Sequence, residues 1–317
     1  MEETERRVFG PVPSRRLGKS LGVNNIPFKV CSYSCRYCQL GKGIRMQADR
    51  QEFFDPEMLA GEVRELLDKT QGTADFPDYV TIVPDGEPTL DINLGVLIER
   101  LKALEVPVAV ITNSSLLHME EVRDDLMKAD YVSIKADAFS RETWKRLNIP
   151  HRTLDIDKIR DGIMTFSGLY WGKLVTETML VKDINDSPAE INNTAGIVRM
   201  INPHTAYISI PTRPPAFSGI MPADEDRVLE AYHAFAQQVD NVELLTGYEG
   251  NEFSSTGRFR EDILAITAVH PMREDAVTEL LARSNECEET LEIMIGEELL
   301  RRVVYGSHTY YMRRFRR

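Results

Sequence analysis

A chain of 317 residues with a net charge of −12 is long enough for one large domain and a small appendage. No apolar run reaches the length of a membrane span, and the start Met1-Glu2-Glu3-Thr4-Glu5 is not a signal peptide, so we expect no membrane contact and a cytoplasmic location. The charge is unevenly spread: residues 1–50 carry +6, residues 301–317 carry +6, and the stretch between them carries −24. The basic ends can attract an anionic cofactor or substrate, or pair with the acidic middle.

In chain order, the run Phe9-Gly10-Pro11-Val12-Pro13-Ser14-Arg15-Arg16-Leu17-Gly18 is rich in turn residues and reads as a loop. Ser20 to Asn25 reads as a first strand, ended by Pro27. Cys31-Ser32-Tyr33-Ser34-Cys35-Arg36-Tyr37-Cys38 then holds three of the chain's four cysteines. An odd triplet without a signal peptide is not a disulfide framework. A structural zinc site wants four ligands, so zinc here needs a distant fourth ligand. A cubane iron–sulfur cluster fits three cysteines, one for each of three irons, with the fourth iron open. The C-x3-C-x2-C spacing with the aromatic Tyr37 before the last cysteine resembles the signature of the radical S-adenosylmethionine (SAM) superfamily. That resemblance implies a [4Fe–4S] cluster on Cys31, Cys35 and Cys38, with SAM chelated to the open iron. It implies reductive cleavage of SAM to a 5′-deoxyadenosyl radical that takes hydrogen from a substrate, and a reductant such as flavodoxin or ferredoxin. Cys287 stands apart and is not expected to be a ligand.

A helix over Asp55 to Lys69 follows, with Leu59, Val63, Leu66 and Leu67 on one face. Further strands are expected at Tyr79–Val83, Val106–Thr112, Tyr131–Lys135, Leu174–Val181 and Tyr207–Ile210. They alternate with helices near Asp91–Ala103, Met119–Met127, Ser140–Leu147, Asp155–Phe166, Ala189–Ile201 and Asp224–Val239. Six strand–helix units predict an α/β fold with a parallel sheet. Six is short of the eight of a closed barrel, and a partial (βα)6 barrel is also what the resemblance implies. Glycine and polar residues from Leu245 to Gly257 read as a linker, giving a barrel over 1–250 and an appendage over 258–317. Helices at Glu261–Ala268, Arg273–Arg283 and Glu288–Ile295, then strands at Leu299–Tyr305 and Thr309–Phe315, outline a winged-helix-like unit.

Catalytic groups in parallel barrels gather at the C-terminal ends of the strands. The second strand ends in Pro84-Asp85-Gly86-Glu87-Pro88-Thr89. This is similar to the superfamily's Gly-Gly-Glu motif, with Asp85 in place of the first Gly, and implies contacts of Asp85, Gly86 and Glu87 with the SAM ammonium. The plain alternative is a strand-to-helix turn with Asp91 as a cap. Asn113 and Ser114 resemble the segment that meets the ribose and methionine. Lys135 suits the methionine carboxylate and Asp137 a ribose hydroxyl, or the two form a structural pair. Glu177 becomes a site candidate if it points inward, where it needs a partner. Arg213 either binds an anion or ties down the C-terminal extension. Met179 and Met200 read as core, and His118, His151, His204 and His270 as surface or packing residues.

Within the superfamily, the Pro11–Gly18 run, the cysteine loop, Gln39-Leu40-Gly41 and the Asp85–Thr89 run resemble the group related to wyosine-base synthases of tRNA. Those synthases carry a second cluster on extra N-terminal cysteines that this chain lacks. The expected substrate is therefore an RNA or a small anion. A non-catalytic iron–sulfur redox sensor with a partner-binding winged helix stays open as an alternative. Sequence-specific DNA binding is not expected, because Glu288, Glu289 and Glu292 crowd the helix that would enter the groove.

Overall fold

The computed structural model describes residues 7–40, 45–215, 217–247, 257–269 and 271–314. The chain opens with β1 (Val8–Ser14), β2 (Gly18–Val23) and a two-residue ribbon of β3 (Val30–Cys31) with β4 (Arg45–Met46). Helix α1 (Pro56–Thr70) has Asp55 as its cap, accepting from the Glu57 N–H, and Pro56 in the first turn. Then come β5 (Tyr79–Ile82), α2 (Leu94–Lys102), β6 (Val108–Thr112), α3 (Glu120–Leu126) and β7 (Tyr131–Lys135). Helices α4 (Arg141–Asn148) and α5 (Ile156–Leu169) precede β8 (Lys173–Met179). The alternation ends with α6 (Pro188–Ile201), β9 (Thr205–Ser209), α7 (Glu225–Ala236) and β10 (Val242–Leu245).

One eight-stranded sheet runs β1-β2-β5-β6-β7-β8-β9-β10, parallel throughout except for the antiparallel edge β1–β2. Side chains alternate between its faces. Val80, Val110, Val132, Ile134 and Ile208 point to the helices and join the main core with Leu59, Leu97 and Phe166. Tyr79, Ala109, Tyr131, Val175 and Tyr207 line the other face, together with Leu17 from the β1–β2 turn and Leu245 from the opposite edge. The Arg15 guanidinium donates to Leu245 O at 3.1 Å. The sheet is thus curled until its two edges share one apolar cluster, a half-barrel left unclosed by strand pairing.

Two strands differ from expectation. The 9–18 run is not wholly loop: residues 8–14 form edge strand β1, with a bulge between Phe9 and Val12. Pro11 and Pro13 lack N–H donors, which only an edge strand tolerates. The sheet also has seven parallel strands rather than six. β10 escapes the hydrophobic pattern because only Leu245 of its four residues is buried. Most other elements match within a few residues, although β8 ends at Met179 and α2 begins only at Leu94, after a short 3-10 turn at Pro88–Leu90.

Most of the expected linker, residues 248–256, lies outside the described residues, as do Arg316, Arg317 and His270. Beyond it stand α8 (Phe259–Val269), β11 (Met272–Arg273), α9 (Glu274–Arg283), α10 (Glu288–Gly296), β12 (Leu300–Tyr305) and β13 (His308–Arg313). The three helices and the hairpin are as expected. The hairpin gains β11 as a third strand, in the order β11-β13-β12. Phe259, Ile263, Met272, Leu280, Met294 and Tyr311 form a second core, against which Val12 of β1 packs. The hairpin meets the barrel through tyrosine hydroxyls: Tyr305 donates to Pro211 O at 3.2 Å and Tyr310 to Thr212 O at 2.8 Å. Two of its arginines pair within the appendage, Arg302 with Glu292 and Arg314 with Glu298.

Deleting residues 301–317 removes the central strand β13 and the buried Tyr310, Tyr311 and Met312. Each large apolar side chain is worth roughly 1.5–3 kcal/mol when buried. We expect amide exchange protection to vanish across 259–296 while the sheet strands keep theirs. Protection retained in α8–α10 would contradict this.

Candidate metal centre at the strand ends

The cysteine loop leaves β2 and is held from two sides. Lys29 N donates to Asp85 O at 2.8 Å, and Glu87 N donates to Val30 O at 3.1 Å. Between them lies Gly86, where an added Cβ would fall 1.9 Å from Val30 O. Glycine is thus demanded by the close backbone approach. On the other side the loop takes up carbonyls at the C-terminus of α4, which an α-helix leaves without internal partners. Arg36 N donates to Leu147 O at 2.9 Å and Ser34 N to Asn148 O at 3.0 Å. His151 N returns a bond to Ser32 O at 2.8 Å. Tyr33 is buried, its hydroxyl accepting from Trp144 Nε1 at 3.0 Å.

Each of the three sulfurs faces a nitrogen donor. Asn113 Nδ2 lies 3.6 Å from Cys31 Sγ, Asn148 Nδ2 lies 3.4 Å from Cys35 Sγ, and Lys29 Nζ lies 3.4 Å from Cys38 Sγ. Such donors favour thiolate over thiol and tune a bound cluster. Without metal, burial and then the nearby Glu87 push the Cys31 thiol up to about 12. Burial and then Asp137 push Cys35 up as well. Assembly of a metal centre must therefore release protons. Among the described residues no three His, Cys, Asp or Glu side chains converge as ligands of a single ion. A cubane asks for a different arrangement, one cysteine per iron, and the three donor-facing sulfurs fit it. Cys287 is exposed at the start of α10.

The other expected site residues surround this loop. Glu87 is buried and joins three segments. Its Oε1 accepts from Thr89 N at 3.1 Å, Thr89 Oγ1 at 2.6 Å and Thr112 Oγ1 at 2.6 Å, and its Oε2 from Asn113 N at 2.7 Å. Burial pushes its carboxyl up, and these bonds oppose the rise. Asp85 accepts from Asn24 Nδ2 at 3.0 Å. The turn is there, but Asp91 is not the cap of α2: Asn93 holds that position, while Asp91 ends the 3-10 turn and accepts from Asn93 N at 3.0 Å. Asn113 Nδ2 also donates to Ser32 Oγ at 2.9 Å, and Ser114, at φ +70°, donates to Lys135 O at 3.1 Å.

Asp137 spends both oxygens on protein donors: Oδ1 on Met179 N at 2.9 Å, and Oδ2 on Asn148 Nδ2 at 3.0 Å and on the Tyr37 hydroxyl. Lys135 pairs with Glu177 at 2.7 Å, not with Asp137. Glu177 does point inward, and Arg16 is its second cation. Burial would raise its pKa, but Arg16 and Lys135 outweigh that and hold the carboxyl well below the usual range. Arg213 reaches Gln39 Oε1 at 3.1 Å, while its neighbours Pro211 and Thr212 tie down the hairpin. Met200 is exposed rather than core, because it lies on the solvent side of α6.

Lys29, Asn148 and Arg16 are the participants that sequence reasoning missed. Lys29 is 3% exposed in an apolar stretch, Ile26-Pro27-Phe28-Lys29-Val30, and a lysine in such a stretch next to a cysteine motif is a usable signal. Asn148 carries none, since it reaches Cys35 across 113 residues.

Gly86→Ala should force Val30 and Cys31 aside. Overpacking of this kind costs typically 1–3 kcal/mol. We expect a lower thermal midpoint and less iron retained after anaerobic reconstitution. Gly61→Ala, in α1 with nothing within 4 Å of an added Cβ, is the control and should be neutral or stabilising. Equal iron content in both variants would contradict the assignment.

Comparison with known proteins agrees with this geometry. The Radical SAM superfamily model matches residues 25–194. UPF0026 protein MJ1312 of Methanocaldococcus jannaschii is 42% identical over 307 residues, covering 96% of this chain and 95% of its own. Among solved structures, a radical SAM methyltransferase from Sphaerobacter thermophilus aligns with TM-score 0.54 at 13% identity, over 72% of this chain and 66% of that one. TYW1 with a lysine-pyruvate adduct bound aligns with TM-score 0.52 at 15% identity, over 71% and 76%. At such identities the structural likeness speaks for the fold alone. The half-barrel, the three-cysteine loop and these matches together make the chain a member of the radical SAM superfamily, in its UPF0026 branch.

Proposed function

We propose that this protein is a radical SAM enzyme that binds one [4Fe–4S] cluster on Cys31, Cys35 and Cys38 and acts on an RNA or a small anion. The observation that carries the reading is the set of three sulfurs, each facing one nitrogen donor, at the strand ends of a half-barrel. When bound, the cluster and SAM supply a 5′-deoxyadenosyl radical able to take a hydrogen atom from carbon.

The chain's own residues bind, orient and exclude water. Glu87 fixes Asn113, which donates to Cys31. Its Oε2 accepts from Asn113 N, and a carboxylate oxygen has room for a second bond, from the SAM ammonium. Asp85 and Gly86 place the cysteine loop beside that carboxylate. Lys135 is held by Glu177 with its ammonium 5.7 Å above the Tyr37 ring, and we assign it the methionine carboxylate. Asn113 and Ser114 suit ribose hydroxyls. Asp137 anchors Tyr37, whose ring would shield a bound cluster from water. Inside the sheet, Arg16 adds a second cation to suit an anionic substrate. The order of helices and strands over 258–317 suits a winged-helix-like unit beside a barrel over 1–250. The exposed Glu288, Glu289 and Glu292 speak against DNA as its partner. An oxygen-sensitive centre suits the cytoplasm.

Anaerobically reconstituted protein given SAM and dithionite should release 5′-deoxyadenosine. Cys31→Ala, Cys35→Ala and Cys38→Ala should abolish it, and Cys287→Ala should not. Lys135→Ala loses one charge-assisted contact worth about 1.5–3 kcal/mol, so SAM affinity should fall roughly ten- to a hundredfold by calorimetry. Cluster-loaded wild type that binds SAM and never cleaves it would overturn the proposal in favour of a sensor.

A further inference from the structure

The helix layer beside the cysteine loop carries a cleft of about 630 Å³, between α4 and the start of α5. Lys145, Arg152 and Lys158 are exposed on its rim. Among the described residues none of the three has an ion-pair partner, whereas most other surface cations do. Asp155, on the same cleft, and Asp157 are paired with Arg141, at 3.4 Å and 2.7 Å. Three uncompensated cations on one cleft, in a chain of net charge −12, create a local positive field on an acidic protein.

The wall of this cleft is the segment that holds the cysteine loop. Ile149 and Pro150 line it. Ser34 N donates to Ile149 O at 3.1 Å, and Pro150 bridges Tyr33. Asn148, one residue before Ile149, reaches Cys35 Sγ at 3.4 Å. One peptide link and one hydrogen bond therefore separate the cleft from a cluster sulfur. Trp144, which lines the cleft, is buried and donates to the buried Tyr33 hydroxyl behind it. An electron can cross such a wall.

We infer that this cleft is the docking surface for an acidic one-electron carrier protein. The carrier is oxidised by one electron and the cluster is reduced by one, through the Asn148–Ile149 segment to Cys35. The inference rests on the reading that Cys31, Cys35 and Cys38 hold a cluster. Complexes of this kind are small, transient and steered by charge.

The test uses the full-length cluster-loaded protein and a purified acidic flavodoxin as probe. Stopped-flow bleaching of the cluster by reduced flavodoxin is compared between wild type and the Lys145→Glu/Arg152→Glu/Lys158→Glu variant. Reversing the cleft charge should slow reduction at low salt by at least ~tenfold and remove most of its salt dependence. Dithionite, which needs no docking site, should bleach both clusters at the same rate. The neutral Lys145→Gln/Arg152→Gln/Lys158→Gln variant should slow reduction by a smaller factor, and it carries the test if the charge-reversed protein does not fold. Flavodoxin reduction as fast in both variants as in wild type overturns the inference. So does loss of affinity for bulk RNA with flavodoxin reduction intact, which would make the cleft a nucleic-acid site. If the wild type assembles no cluster that dithionite can reduce, the underlying assignment falls, and the inference with it.

Discussion

Two backbone hydrogen bonds hold the cysteine loop against the β5 turn, Lys29 N to Asp85 O and Glu87 N to Val30 O. The rest of the site depends on them. They fix Cys31 in the ribbon strand β3, and they can form only because residue 86 has no side chain. The same turn carries Glu87, whose carboxylate reaches β6 through Thr112 and Asn113. Three segments far apart in sequence are thus locked together by one turn and one buried carboxylate. A buried carboxylate is costly unless it is well supplied with donors, and Glu87 has four.

The opposite side of the loop is held by the end of α4. That end needs donors for its last carbonyls, and the loop's Ser34 and Arg36 N–H groups provide two. Asn148 can then turn its amide to Cys35 and Asp137 at once. Inside the sheet the charges are arranged by pairs. Glu177 stays ionised between Arg16 and Lys135, so the two cations are held in place on the inner face of the sheet. The curl of the sheet brings Arg16 there, since the β1–β2 turn enters the interior beside Tyr131 and Tyr207.

Much of this was legible in the sequence, for physical reasons. Buried parallel strands show themselves as β-branched runs such as Tyr79–Ile82 and Tyr131–Lys135, and the amphipathic helices by their spacing. The cysteine spacing and the Asp85–Thr89 turn are local, and local chemistry can be read. What escaped was set by tertiary contact. β10 is an edge strand with one buried residue, and β1 hides behind two prolines. Summed charge suggested that the C-terminal arginines seat the appendage on the barrel. In the structure Arg302 and Arg314 find acids of their own segment, and the tyrosine hydroxyls of Tyr305 and Tyr310 bond to the barrel. The partners of the sulfurs were legible only where they lie in the motifs. Asn113 was, and Asn148 was not.

The account's central claim is that the fold supplies one nitrogen donor to each cluster sulfur. It is tested most directly by the midpoint potential of the reconstituted cluster in Asn148→Ala, measured beside wild type by spectroscopically monitored titration. Hydrogen bonds to cluster sulfurs favour the reduced, more negative state. The account predicts unchanged iron content and a potential shifted to more negative values. An unchanged potential with full iron content would contradict it.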